Sequence, residues 1–78
     1  MTRRKSRDYM RGVGAVCKAW RKEHGYLQKE IAVELGTSPQ VVCMYEAGRI
    51  NSVDILAWYL RHGMPVAALN LVRWNDEH

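Results

Sequence analysis

No stretch of this 78-residue chain approaches the run of about 20 apolar residues that a bilayer crossing requires, so no spanning helix and no membrane partner are expected. Cysteine is scarce. Cys17 and Cys43 stand far apart without a second pair, so neither a disulfide framework nor a CxxC-type zinc site can be built, and both are expected to act as small apolar residues. His24, His62 and His78 are too scattered for a metal site. No Ser/His/Asp, Cys/His or paired-carboxylate arrangement is tied to a cleft motif, so neither catalysis nor a cofactor is expected. The basic opening, MTRRKSRDYM, leads into neither an uninterrupted apolar segment nor a small-residue cleavage site, which argues against a signal peptide and for a cytoplasmic location. Strand-like alternation, repeats and long linkers are missing too. At this length there is room for one small domain with short connections, and little room for a large cleft.

What is present is a lopsided charge. Residues 1–24 hold eight bases against two acids, a local charge of +6, whereas residues 25–78 hold four bases against six acids, or −2. A cationic end on a neutral-to-acidic body suits a polyanion, because neutralising phosphates releases condensed counterions. Residues 1–8 are expected to form a flexible basic arm, 9–74 the folded domain, and 75–78 a solvated tail.

The apolar spacing is helical. Met10, Val13, Cys17 and Trp20 fall at steps of three and four, predicting a helix over about Tyr9–His24 with Gly25 as its C-cap. A second helix is predicted over Leu27–Leu35, burying Leu27, Ile31 and Leu35 with Ala32 beside them, and Gly36 stops it. Only two prolines occur, and both fall where a helix would begin. Ser38 can accept a backbone N–H as N-cap, and Pro39 at the first helical position gives up no hydrogen bond, so the pair starts a third helix over Pro39–Glu46 with Val42 and Tyr45 inward. Two short helices joined through Gly36-Thr37-Ser38 cannot lie side by side; they form a corner. Ser52 caps a fourth helix, Val53 to about His62, with Val53, Leu56, Tyr59 and Leu60 inward. Gly63 ends it, and Pro65 opens a fifth helix. There Val66, Leu69 and Val72 are expected to close the core, leaving Ala67, Leu71 and Trp74 as a second apolar stripe. A helix apolar on two faces is covered twice, which predicts a homodimer through that stripe. Trp20, Trp58 and Tyr59 are expected to pack in the core or at its rim, and Glu46 to pair with Arg21 or another first-helix base.

The stretch VGAVCKAWRKEHGYLQKEIAVELGTSPQVVCMYEAGR resembles the helix-turn-helix core of the Xre/Cro/phage-repressor family. The resemblance lies in a first helix closed by a glycine, Gln28 opening the second helix, Glu30-Ile31-Ala32, Leu35-Gly36, the Ser38 cap, Tyr45-Glu46, and Gly48 followed by Arg49. It covers about Val13–Leu60. It implies an all-α, compact five-helix, lambda-repressor-like domain that binds operator DNA as a two-fold dimer to regulate transcription.

In such a unit the third helix enters the major groove. Pro39, Gln40, Val41, Cys43 and Met44 face away from Val42 and Tyr45. Gln40 is the best candidate for direct readout, since its amide both donates and accepts, as adenine N6 and N7 require, while Val41 and Met44 suit a thymine methyl. Gln28 matches the family's phosphate-fixing glutamine, at a helix end whose free N–H groups favour anions. Thr37, Ser38 and Arg49 are further phosphate candidates. The chain departs from the family at Leu27, Cys43 and Met44, and residues 28–48 carry a net −2. Arg3, Arg4 and Lys5, with Arg7, are expected to supply cationic contacts to a minor groove or flanking phosphates. The alternative is a helix-turn-helix-derived module, an antirepressor, antitoxin or inhibitor, that binds a protein through Val41, Met44 and the last helix.

Overall fold

A computed structural model describes the backbone of residues 3–71 and the side chains of residues 12–69, and it is all-helical, with no strand among the described residues. Four α-helices follow one another: α1 (Arg3–Glu23), α2 (Gln28–Leu35), α3 (Pro39–Glu46) and α4 (Val53–Arg61). A 3-10 segment, Val66–Leu71, comes last. None of the helices is long and apolar enough to cross a membrane.

Helix α1 begins at Arg3 and not at Tyr9, so the backbone expected as a flexible arm is, from Arg3 onward, part of the first helix. Arginine and lysine are good helix formers, and residues 3–11 hold neither glycine nor proline to stop propagation. The four α-helices share one ending. Tyr26 N–H reaches Arg21 O, Thr37 reaches Ala32 O, Arg49 reaches Met44 O and Met64 reaches Tyr59 O, at 2.9–3.1 Å. In each case the preceding glycine bonds the carbonyl three residues back. This paired pattern satisfies carbonyls that a helix end leaves open, and it needs one residue in the left-handed region. Gly36 supplies it between α2 and α3, at φ 69°. Two residues later Ser38 Oγ accepts from Val41 N–H at 3.3 Å, with Pro39 in the first helical position, so the corner is stop and start in close succession. Ser52 caps α4 the same way through Ile55 N–H at 3.2 Å.

The core joins Val13, Cys17 and Trp20 of α1, Ile31 and Ala32 of α2, Val42 and Tyr45 of α3, and Ile55, Trp58 and Tyr59 of α4, with Met64 beneath. Two inward assignments at helix starts fail. Leu27 is 58% and Val53 77% exposed. Leu27 is the extended N-cap of α2 (φ −102°, ψ 149°), off the helical period that would align it with Ile31. Val53 is the first residue of α4, whose buried face is set by Ile55, Trp58 and Tyr59, with Leu56 and Leu60 partly covered at its rims. Two large aromatics gain more from burial than one valine, and they decide the helix's rotation.

The fifth α-helix is replaced by the 3-10 segment, which is entered through Ala68 N–H donating to Pro65 O at 2.8 Å. At three residues per turn Val66 and Leu69 still share a face, whereas the four-residue step from Ala67 to Leu71 no longer aligns over this segment. Ala68 and Leu69 pack on the core, but Val66, expected inside, is 68% exposed, and Ala67 is exposed in the single chain. Val72, Trp74 and the side chain of Leu71 lie outside the described residues.

Two contacts fix how α1 lies on the rest. Gly14 is buried where α1 crosses the end of α3: a Cβ there would sit 2.5 Å from the carbonyl oxygens of both Tyr45 and Glu46. At the far end of α1, Trp20 stacks on His24 with centroids 4.3 Å apart, and on Tyr26 at 5.7 Å. In α4 the same spacing recurs, Trp58 stacking on His62 at 3.9 Å. Each histidine Nδ1 lies 2.9 Å from the carbonyl oxygen of its tryptophan. A carbonyl only accepts, so each Nδ1 donates; His24 thereby satisfies a carbonyl at the end of α1.

Candidate nucleic-acid interface

Helix α3 has two unlike sides. Val42, Tyr45 and Glu46 are buried, while Pro39, Gln40 and Cys43 are exposed, next to the exposed Thr37 and Ser38 of the corner. Arg49 is exposed beyond the helix end. The structure therefore gathers Thr37, Ser38, Pro39, Gln40 and Cys43 around the outward part of one rigid two-turn helix. Val41 and Met44 are half-buried at its borders, and Val41 packs against the core, so they do not form the open apolar pair that the sequence implied. Arg3, Arg4 and Lys5 contribute helical backbone to α1, but their side chains lie outside the described residues.

At the head of α2, Leu27 offers no side-chain acceptor, and only half of a capping box forms: the Glu30 carboxylate accepts from Leu27 N–H at 2.8 Å. The first N–H groups of α2, those of Gln28 and Lys29, are left without a side-chain cap, the arrangement that favours an anion.

Gln28 itself is half-buried and turned inward. Its Nε2 donates to Glu46 Oε1 at 3.0 Å. Arg21 donates to both oxygens of the same carboxylate, Nε to Oε2 at 2.7 Å and Nη2 to Oε1 at 3.1 Å, and its Nη1 donates to Tyr26 O at 2.9 Å. The Tyr59 hydroxyl donates to Glu46 Oε2. One buried carboxylate thus ties α3 to α1, α2 and α4. The Arg21–Glu46 pair was legible in the sequence; the Tyr59 and Gln28 donors were not, because nothing local signals that α2 and α4 close over the same point.

These contacts set the protonation states. Burial alone would raise the Glu46 carboxyl, but the donors Arg21, Tyr59 and Gln28 outweigh it and hold the group below its ordinary value. Its hydrogen bond to Glu46 lifts Arg21 above its usual value. Burial, then the Glu46 contact, pushes Tyr59 well up, and burial pushes Cys17 up to about 12. Cys17 is therefore an inert thiol in the core, while Cys43 is exposed.

The sign of the pH dependence follows. Tyr59 and Cys17 are raised, so their contribution is complete below the unfolded values, 10.0 and 9.0, and is lost as pH climbs past them. Glu46 is lowered, so its contribution is present above 4.5 and lost as pH falls below it. Stability from denaturant titrations is expected to be flat from about pH 6 to 8 and to decline on both sides, with Cys17→Ala shallower than wild type above pH 9. A flat profile to pH 11 in wild type would contradict this.

The acids counted in residues 28–48 are not alike: Glu46 is neutralised by a buried partner, while Glu30 and Glu34 stay exposed. Glu46 is buried and paired, and Glu34 turns toward α4, where it accepts from Trp58 Nε1 and lies 3.5 Å from His62 Nε2. Glu30 is occupied at the α2 cap. Among the described residues no group of His, Cys, Asp and Glu could hold a metal ion.

The profile of a family described as helix-turn-helix matches residues 18–57, just over half of the chain, from the middle of α1 into α4. No curated protein and no solved structure matches it.

Proposed function

Because the chain belongs to the Xre/Cro-like helix-turn-helix family, a family of DNA-binding regulatory domains, we propose that it is a sequence-specific transcriptional regulator that represses by occupying an operator. It acts in the cytoplasm on the nucleoid, as a homodimer whose contact includes Ala67, Leu71 and Trp74, and it needs no cofactor or chemistry: a seated dimer excludes polymerase. The observation that carries this is the outward side of α3, where Gln40 stands exposed on a helix whose other side is locked into the core. Gln40 reads a base edge. Thr37, Ser38, Arg49 and the head of α2 meet phosphates, and Arg3, Arg4 and Lys5 add charge from the start of α1. The alternative, a module that binds a protein partner instead, loses its main support with the half-burial of Val41 and Met44.

Selection of bound sequences from random duplex DNA tests this. An enriched, two-fold symmetric site with half-sites about 34 Å apart is expected, and Gln40→Ala should relax one base position by about 1–3 kcal/mol. Affinity should fall by orders of magnitude between about 50 and 200 mM salt. No enrichment, together with binding indifferent to salt, would sink the DNA function and favour the protein partner.

A further inference from the structure

We propose that Glu46 is a positioning residue for the phosphate contact at the head of α2: its buried carboxylate captures the Gln28 amide and fixes which groups of that side chain face outward. The proposal rests on the phosphate contact proposed above for the head of α2, with Gln28 as its side chain. Gln28 Nε2 is 3.0 Å from Glu46 Oε1. An ionised carboxylate only accepts, so the amide nitrogen, and not its oxygen, must turn inward. One N–H and the carbonyl oxygen remain for anything outside. A phosphate also only accepts, so the remaining N–H of Gln28 is the group it can use, beside the uncapped backbone N–H groups of Gln28 and Lys29.

Glu46 cannot easily swing away. Arg21 grips both of its oxygens, and Arg21 is itself held by Tyr26 O at 2.9 Å. Tyr59 donates to Oε2 from the other side. Glu46 is also the last residue of α3, the helix that carries Gln40. The phosphate contact of α2 and the base contact of α3 are therefore registered against each other through one carboxylate. An unanchored glutamine would have to be ordered on binding, at a loss of affinity.

Two measurements decide it. In the free wild-type protein, NMR of the Gln28 side-chain amide should show a rigid group with one slowly exchanging proton, its shifts moving in step with the Glu46 carboxylate carbon during acid titration. An amide as mobile as that of a fully exposed glutamine overturns the proposal, whether or not DNA binds. Next, the duplex recovered by selection is titrated with wild type, Gln28→Ala, Glu46→Gln and the double variant, each well below its melting midpoint. A loss of about tenfold is expected for each single variant, with no further loss in the double, as for one shared charge-assisted hydrogen bond. Losses that multiply, or binding by Gln28→Ala equal to wild type, overturn the positioning role alone. Failure of the wild type to bind any selected duplex would sink the DNA function on which it stands. The wild-type NMR result holds even if Glu46→Gln does not fold.

Discussion

Replacing Gly14 with alanine should lower the thermal midpoint of the domain by about 5–10 °C, although alanine is the better helix former by about 1 kcal/mol. The new Cβ would lie 2.5 Å from two backbone carbonyl oxygens at the end of α3. No side chain is available to move aside. Relief requires α1 to lift off the buried end of α3, where Tyr45 and Glu46 pack, and overpacking of that kind costs about 1–3 kcal/mol or more. Since the propensity gain works in the opposite direction, the net loss measures the strain. Circular dichroism melts of the two proteins decide it, and an equal or higher midpoint for Gly14→Ala would mean that α1 and α3 do not touch there.

Arg21→Met is expected to be at least as damaging. It leaves the Glu46 carboxylate buried with only Tyr59 and Gln28 as donors. Removing one partner of a buried pair costs about 3–5 kcal/mol, a large share of the roughly 5–15 kcal/mol that holds a small domain together. The pH response should also change sign. In wild type the Glu46 contribution is lost as pH drops. Without Arg21, burial dominates and raises the carboxyl, so protonation relieves the unpaired charge and the variant should gain stability on moving from pH 7 toward 5. Parallel denaturant titrations of both proteins at the two pH values test this. If both lose stability in parallel, Arg21 is not what holds Glu46 ionised.

The features that were legible in the sequence depend on near neighbours. Gly25, Gly36, Gly48 and Gly63 end helices, and Ser38-Pro39 and Ser52 start them, through bonds within five residues. Mid-helix faces such as Val13, Cys17 and Trp20, or Val42 and Tyr45, also follow from spacing. Leu27 and Val53 were misplaced because they sit at helix starts, where the period has not begun or a stronger aromatic face overrides it. Nothing in the spacing of the first helix singles out Gly14. Its role exists only where α1 crosses a helix some 30 residues onward. The inward turn of Gln28 has the same origin, a partner 18 residues away. The three-residue step from Val66 to Leu69 fits an α-helix and a 3-10 turn alike until the backbone chooses.

The two-sidedness of α3 has an evolutionary consequence. Since Val42, Tyr45 and Glu46 bear the packing while Gln40 and Cys43 stand clear of it, exchanges at the latter positions would, on the proposed reading, retarget the protein to new operators with little penalty in folding. A lineage carrying this scaffold can drift in what it recognises while its foundation stays fixed. Libraries randomised at Gln40 and Cys43 should accordingly yield many folded members with divergent preferences.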